Sequence, residues 1–333
     1  DIATINTAIT NVSSGARLYQ DSDDNSSFGA STLSSLTTGT GNTAGGNNSM
    51  AANTTGSYNS AFGFDSLRSN TTGSWNAATG YRALYSNTTG IFNAAFGTNA
   101  LLNNTTGSAN SAFGGMSLYY NTTGSWNVAL GQSAMLLNTT GSYNTATGYY
   151  ALTNNTEGFR NTATGLRSLY SNTTGSFNAA FGDYSLYNNT TGEANVAIGG
   201  MALYTNSGSY NSALGSLAGY YNVGSQNVFL GNGAGIYEEG SNKLYISSNT
   251  SEVDENGYAA TDENGRLVFT ERNLLYGDFS TGDLSLGQTS GTVTILNDAD
   301  IDGTLTLGGL TDVESSINTN STNISSNDTD IAT

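Results

Sequence analysis

The sequence contains no cysteine, no histidine and no proline, and only 10% of its 333 residues are charged. Without a thiol or an imidazole, the chain has no Cys or His nucleophile, no His-based acid–base relay and no thiolate or imidazole ligand for zinc. No disulfide staples the fold. These absences exclude most enzyme mechanisms, and we expect neither catalysis nor an organic cofactor.

Basic residues are also scarce, since eight Lys and Arg stand against 25 Asp and Glu and give a formal net charge of −17. This charge repels phosphate, which argues against nucleic acid or an anionic membrane surface as a partner. No stretch reaches the roughly 18 to 20 apolar residues needed to span a bilayer. Because the chain opens at Asp1 without a basic, apolar signal segment, we expect any targeting or anchoring piece to lie outside these residues.

Internal repetition dominates what is present. The tetrapeptide Asn-Thr-Thr-Gly recurs in steps of 17 residues from Asn53 to Asn189, with a variant at Asn155. A second marker, Asn-x-Ala-x-Gly, recurs with the same step from Asn59, and its last step shrinks to 16 before Asn211. Weaker copies on both sides bring the number of units to 13.

Each unit predicts one coil of an all-β solenoid. The marker is typical of a short strand followed by a Gly turn, a second short strand is expected around a small-Leu-aromatic triplet, and the Asn-Thr-Thr-Gly corner closes the coil. Two strands and two turns fill the 17 positions and leave none for a helix. At about 4.8 Å per coil, the stack forms a rod roughly 60 Å long.

Equivalent residues fall into register from coil to coil. The marker asparagines are expected to form a ladder of stacked amides rather than a catalytic or metal site, and the corner glycines are expected to adopt positive φ. Strand alternation places the column of Ala61 and the column of Phe62 on opposite faces. One of these columns must face the solenoid interior, and the sequence leaves open which.

Both ends of the chain show heptad spacing instead. At the C-terminal end, apolar residues and asparagines step by three and four alternately at Leu310, Val313, Ile317, Asn320, Ile324, Asn327 and Ile331. At the N-terminal end the same spacing is found at Ile2, Ile5, Ile9 and Val12. Isoleucine at both a and d favours trimeric coiled coils, and helices this short require partner copies. In a trimer, Asn320 and Asn327 at d meet at the axis, where they hold either an anion such as chloride or only a ring of hydrogen bonds.

Four segments are therefore predicted. They are an N-terminal coiled coil and neck over residues 1–20, a β-roll over 21–235, an acidic β-rich connector over 236–309 and a C-terminal coiled coil over 310–333. Connector strands are expected at 243–246, 266–270, 284–286, 292–296 and 304–307, with hairpin turns at Asn256-Gly257 and Asn264-Gly265. Residues 30–235 hold four acids and four arginines, so the solenoid itself is neutral.

The acidic residues offer only weak candidates for chemistry. The four acids of the solenoid never recur in register, which argues against the paired carboxylates of a glycosidase. Asp298, Asp300 and Asp302 fit the opening of a calcium loop, but the twelfth position is Gly309 and the segment runs into a predicted strand. An acidic turn is favoured there, and the acidic cluster at 21–24 is a weaker metal candidate still.

Aromatic residues form the candidate ligand surface. Seven of them stand directly before a marker Asn, at Tyr58, Trp75, Phe92, Trp126, Tyr143, Phe177 and Tyr210. A second set follows the Leu of the triplet, at Tyr85, Tyr119, Tyr170, Tyr187 and Tyr204. Rows of rings on a flat, neutral rod can stack on sugars or pack on a partner surface. The favoured interpretation is that they brace turns or fill a seam between chains.

The repeat resembles a known family. The segments Asn195-Val196-Ala197-Ile198-Gly199 and Asn127-Val128-Ala129-Leu130-Gly131 are similar to the head repeat of trimeric autotransporter adhesins of the YadA type. This resemblance implies a homotrimer of left-handed parallel β-rolls, and it implies that Asn320 and Asn327 correspond to the anion-holding asparagine layers of that family's stalks. The segments 240–246 and 275–279 resemble sequences that follow such repeats in phage-like tail-fibre proteins.

Three non-catalytic functions are compatible with these features. The first is an extracellular surface fibre that binds matrix, glycans or another cell by avidity over three chains. The second is the shaft or receptor-binding part of a phage or contractile-injection tail fibre. The third is ice binding, because regular Thr ladders on a flat solenoid can order water.

Overall fold

The computed structural model describes residues 19–248, 250–251, 269–270 and 273–286. All regular elements in these residues are β-strands. Since this part of the chain has no helix, it has none that could cross a membrane.

Thirteen three-residue strands, one per repeat, stack in parallel and form the solenoid. A short strand β1 (Tyr19–Gln20) pairs antiparallel with the first of them. The thirteen are β2 (Ser26–Phe28), β3 (Thr43–Gly45), β4 (Ser60–Phe62), β5 (Ala77–Thr79), β6 (Ala94–Phe96), β7 (Ser111–Phe113), β8 (Val128–Leu130), β9 (Thr145–Thr147), β10 (Thr162–Thr164), β11 (Ala179–Phe181), β12 (Val196–Ile198), β13 (Ser212–Leu214) and β14 (Val228–Leu230). Each residue pairs with its equivalent one coil later, as Ala61 does with Ala78. The prediction of a β-solenoid of 13 coils is confirmed.

The second strand expected in each coil does not form. The segment around the buried Leu is a turn, in which Asp65 and Leu67 adopt φ of 57° and 51°. Its amides still bond to neighbouring coils, since the Leu67 N–H donates to the Ala83 carbonyl at 2.9 Å. Large residues at positive φ are uncommon, so the residue types carried no signal for this turn.

The Ala column faces the solenoid interior. Ala61 and its equivalents pack against the column of Leu67, and both columns are buried within one chain from Ala44 and Met50 onward. The column that contains Phe62 lies outside, where its large apolar members are 38–49% exposed. The sequence left open which of the two columns faces the interior, and the structure shows that it is the Ala column.

The interior is too narrow for a larger residue without compensation. Phe229 takes the Ala position in the last coil, and glycine replaces the opposing Leu at Gly219 and Gly235. A Cβ on either glycine would lie within 2.6 Å of the Phe229 ring. The large residue here lies at the Ala position and the small residues lie at the Leu position, so the packed width of the core is unchanged.

Two asparagine ladders run along the stack and meet at the corner glycine. In the marker ladder, the Asn76 side-chain amide donates to Asn59 Oδ1 at 3.1 Å and to the Gly90 carbonyl at 2.9 Å. In the corner ladder, Asn87 donates to Asn70 Oδ1 at 2.8 Å and to the same Gly90 carbonyl at 3.0 Å. The predicted amide ladder is confirmed, and the second ladder accompanies it.

The corner glycines do not adopt positive φ, so that expectation is wrong. A Cβ on Gly107 would lie 2.4 Å from both the Gly124 carbonyl oxygen and Asn104 Oδ1, so the corner needs glycine for lack of space. The positive φ belongs instead to the glycine that ends each strand, such as Gly63 at 136°.

Beyond the coils, the sheet continues into the connector. Strand β15 (Lys243–Ser247) pairs in parallel with β14, and β18 (Asn273–Asp278) pairs antiparallel with β15. Strand β19 (Asp283–Leu286) pairs with β18, and β16 (Thr250–Ser251) pairs with β17 (Phe269–Thr270). Strands were predicted at 243–246 and 284–286, whereas β18 was not predicted and β17 covers only the end of 266–270.

An ion pair between Lys243 and Asp278 links β15 to β18. The Lys243 ammonium donates to the carboxylate, which holds the pKa of Asp278 well below its usual range and raises the pKa of Lys243. The pair therefore adds a side-chain contact to the backbone pairing of these two strands.

Several predicted features lie outside the described residues. They are the heptads at both ends with Asn320 and Asn327, the acidic cluster Asp298, Asp300 and Asp302, the strands at 292–296 and 304–307, and the turns at Asn256-Gly257 and Asn264-Gly265.

Candidate functional site

The positions directly before the marker asparagines form an aligned column on the surface. We call ten of them the aromatic ladder, namely Tyr58, Trp75, Phe92, Ala109, Trp126, Tyr143, Arg160, Phe177, Ala194 and Tyr210. All seven aromatic members were predicted from the sequence, and their side chains are 46–63% exposed. The structure therefore brings the predicted contacts into one column and leaves them open to solvent in the single chain.

The ladder backbone lies in the left-handed region throughout, with φ between 52° and 62°. The equivalent positions Gly41 and Asn242 carry the residue types that normally adopt this conformation. A bulky residue there costs on the order of 1 kcal/mol, yet aromatic residues fill most of the column. The backbone of this turn is held by hydrogen bonds between coils, since the Trp75 N–H donates to the Ser57 carbonyl at 3.0 Å. The side chains extend outward from this fixed backbone.

Neighbouring rings of the ladder stack along the rod. The Trp75 ring centroid lies 5.2 Å from that of Tyr58 and 5.4 Å from that of Phe92. Trp126 and Tyr143 are parallel within 1° at 6.3 Å. Ring faces within a stacked run are therefore covered by other rings, and mainly their edges reach solvent.

Arg160 occupies one ladder position without breaking the stack. Its guanidinium carbon lies 5.9 Å from the Tyr143 ring centroid and 5.5 Å from that of Phe177. A planar cation is thus sandwiched between two rings in the place of an aromatic side chain.

A second exposed column lies on the outer face of the sheet. We call the third residues of strands β2 to β14 the outer sheet column; its large apolar members are Phe28, Phe62, Phe96, Phe113, Leu130, Phe181, Ile198, Leu214 and Leu230. Phe96 and Phe113 stack at 4.9 Å and within 8°. Gly or Thr occupies the remaining coils, so the column is uncharged along the whole solenoid.

Three members of the predicted aromatic set that follows the Leu form a stacked and less exposed column together with Tyr220, which was not predicted from the sequence. Successive rings of Tyr170, Tyr187, Tyr204 and Tyr220 lie 4.9–5.2 Å apart and within 6° of parallel. Burial raises the pKa of Tyr220 to about 12, and it also raises the pKa of Tyr204. These four rings, which we call the tyrosine column, brace adjacent coils.

The corner threonines divide into two columns with different roles. The first Thr of each corner donates its hydroxyl to the backbone of the next coil, as Thr71 does to the Thr88 carbonyl at 3.1 Å. The second, such as Thr72, is exposed. The second Thr of each corner therefore has a hydroxyl that can meet water.

Several acids of the described residues act within the fold. Asp21 accepts hydrogen bonds from the Asn25 backbone and side chain, which cap the first coil and lower the pKa of Asp21. Asp65 lies 3.5 Å from the guanidinium groups of Arg68 and Arg82. In the part of the chain that the structure describes, no three acidic, His or Cys residues cluster in a way that could hold a metal.

Comparisons with protein-family models, with curated proteins and with solved structures found no match. Arguments about function therefore depend on the two exposed columns themselves. The outer sheet column is uncharged and carries a large apolar residue in nine of its thirteen coils. The aromatic ladder is a stacked column that two alanines interrupt.

Proposed function

We propose that this chain forms a segment of a homotrimeric extracellular fibre that acts as a surface adhesin or as a host or prey recognition element, without catalysis. The observation that carries the proposal is the outer sheet column, an exposed stripe that has a large apolar residue in nine of thirteen coils and no charge, on a neutral rod roughly 60 Å long. Soluble monomers rarely expose apolar patches of this extent, and such patches mark interaction surfaces.

The chemistry of the outer face supports its burial by two further copies. The first residue of each strand shares the outer face and is small in most coils, for example Ser60, Ala77 and Ala94. Small residues beside large ones allow close approach of sheets, and the zero net charge of residues 30–235 removes repulsion between copies. The terminal heptads favour three chains, which leads us to propose a left-handed β-roll trimer between coiled coils.

The aromatic ladder is the proposed recognition element of this trimer. Its side chains extend from the turn that precedes each strand, at the edge of the outer face. Three parallel ladders on one rod would bind a repetitive partner by avidity, even where each contact is weak.

A tail-fibre shaft or receptor-binding segment is the alternative, and it would use the same rod and the same ladder. An outer-membrane barrel in the same polypeptide would favour the adhesin, and a self-cleaving chaperone domain would favour the tail fibre. Ice binding is a third hypothesis, and absence of thermal hysteresis in solution would dismiss it.

The trimer is tested by native mass measurement, which should give three chains. Replacing the stacked pair Phe96 and Phe113 with Asp should yield monomers that keep their β-type circular dichroism, because neither ring belongs to the core. The control variant replaces Thr106 and Thr123, which lie on the exposed corner, with Asp and should remain a trimer. A monomeric unmodified chain would contradict the proposal.

Recognition is tested by binding of the fibre to glycan and matrix-protein arrays. The double change Trp75→Ala and Trp126→Ala should lower binding about tenfold or more, since ring contacts summed over three chains are lost. Tyr81→Ala with Tyr149→Ala removes two rings outside the ladder that are each 45% exposed and serves as the control. Equal losses in the two double variants would show that the ladder is not the binding surface.

The coiled-coil axis has a separate test. Changing Asn320 and Asn327 together to Ile should raise the thermal stability of the trimer and abolish any anion bound there, because buried amides at d cost stability. Unchanged stability would show that these asparagines are not at the axis.

A further inference from the structure

The aromatic ladder has two positions with almost no side chain. Ala109 lies between Phe92 and Trp126, and Ala194 lies between Phe177 and Tyr210. Their backbones match the rest of the ladder, with φ of 56° and 52°. The backbone of the ladder is therefore continuous, and only the ring side chain is missing at these two positions.

Each interruption leaves room for one planar group. The flanking residues are two coils apart, or about 10 Å at the usual sheet spacing. Stacked neighbours elsewhere in the ladder are separated by 5.2–6.3 Å. A flat group seated midway would meet both flanking rings at the distance that the ladder already uses.

The chain itself shows what fits between two ladder rings. The guanidinium of Arg160 is held between Tyr143 and Phe177 at 5.9 and 5.5 Å from their centroids. We propose that the gaps at Ala109 and Ala194 bind arginine guanidinium groups of a partner protein in the same way, with the flanking rings as walls.

Charge supports an arginine rather than a neutral sugar. Glu193, which is exposed, directly precedes Ala194 and places a negative charge beside that gap, while residues 30–235 as a whole have no net charge. The gaps are five coils apart, which corresponds to about 24 Å along the rod. A partner with arginines at that spacing would engage both gaps at once, and this inference gives a partner chemistry to the proposed recognition function on which it rests.

The two tryptophans of the chain provide a local readout, because both belong to the ladder. Trp126 forms one wall of the gap at Ala109, whereas Trp75 is stacked on both sides. In a Trp75→Phe background, Trp126 is the single reporter. The full chain in this background is titrated with an oligoarginine peptide, an oligolysine peptide of equal length and a cello-oligosaccharide.

We expect oligoarginine to change the Trp126 fluorescence and to reach half-saturation at about tenfold lower concentration than oligolysine, since a planar cation contacts both rings. Ala109→Arg should abolish the response by filling the gap from within, as Arg160 does. Gln226→Arg adds the same charge at an equivalent ladder position far from Trp126, with φ of 62° in the parent chain, and should leave the response unchanged. Phe92→Ala, which removes one wall, provides a second loss-of-response variant if Ala109→Arg does not fold.

Three results would overturn the proposal: equal responses to oligoarginine and oligolysine, an arginine response that survives both Ala109→Arg and Phe92→Ala, or a response to the oligosaccharide alone. The last result would assign the gap to a glycan. Native mass is measured on the same samples, so a monomeric chain whose Trp126 responds to arginine would contradict the trimer while leaving the gap assignment intact.

Discussion

At the scale of single residues, glycine serves two separate purposes in each coil. The strand-ending glycines, such as Gly63, adopt φ between 113° and 141°, a region that other residues rarely enter. The corner glycines are needed for space, because their carbonyls receive both asparagine ladders and the next coil lies directly against them. Glycine is therefore required at these two positions for different reasons, namely positive φ at the strand end and lack of space at the corner.

Gly107→Ala should destabilise the solenoid by about 3 kcal/mol or more, since the new Cβ would overlap the Gly124 backbone and a buried amide. Gly115→Ala is the matched control, because a Cβ there would meet only the Thr98 carbonyl at 3.9 Å. The control should change stability by less than about 1 kcal/mol, with stabilisation as the expected sign. Chemical denaturation measures both, and similar losses in the two variants would disprove the spatial argument.

The marker ladder should be equally sensitive. Asn110→Ala removes the acceptor of the Asn127 N–H and a donor to the Gly124 carbonyl, both fully buried, so we expect a loss of about 2–3 kcal/mol. Asn103→Ala removes one partly exposed hydrogen bond, to the Tyr119 carbonyl, and should cost less than about 1 kcal/mol. Comparable free energies of unfolding for the two variants would mean that the ladder contributes little.

At the scale of the element, one coil contains a single strand of three residues, and its neighbours supply nearly all of its stability. The turn around the buried Leu and the Asn-Thr-Thr-Gly corner both bond outward to adjacent coils. Side-chain columns also connect each coil to the next. In the tyrosine column, for example, partly buried rings of successive coils stack on one another. A coil is thus a unit of repetition rather than a unit that folds alone.

The tyrosine column predicts a fall in stability at alkaline pH. Because burial raises the pKa of Tyr220 to about 12 in the folded chain, the unfolded chain loses this proton first, near pH 10. The stabilising contribution is therefore complete below about pH 10 and is lost as pH rises toward 12. Absorbance of tyrosinate should show a late-titrating group that Tyr220→Phe removes, and a titration unchanged by Tyr220→Phe would contradict this assignment.

At the scale of the whole molecule, the rod is a one-dimensional stack in which each coil touches only the next. Parallel pairing in strict register joins β2 to β15 without a break, even where the repeat shortens to 16 residues. The shortening falls in the corner, where Asn206 bonds to Gly208 two residues ahead rather than three. The corner therefore absorbs length changes that the strand and the ladders cannot.

Removal of one complete coil should leave a folded rod. Deleting residues 104–120 joins equivalent positions, so every column stays in register, and stability should fall only slightly. Deleting residues 104–111 instead moves buried asparagines and alanines to the surface and should abolish cooperative unfolding. Thermal melts followed by circular dichroism decide between these outcomes, and the complete-coil deletion also brings Phe92 next to Trp126 and closes one ladder gap.

The sequence alone determined the period, the number of coils, the strand position and the marker ladder, because residues in register must repeat wherever one face is buried. It also placed all seven aromatic residues in one column. The tertiary structure decided that the Ala column faces inward, that the Leu segment is a turn, and that the ladder stacks through positive φ. These outcomes depend on the width enclosed by the coil and on how it closes, which a one-dimensional pattern does not contain. One sequence feature does reflect the width of the interior: Phe229 replaces the usual Ala, and Gly219 and Gly235 replace the Leu residues that face it.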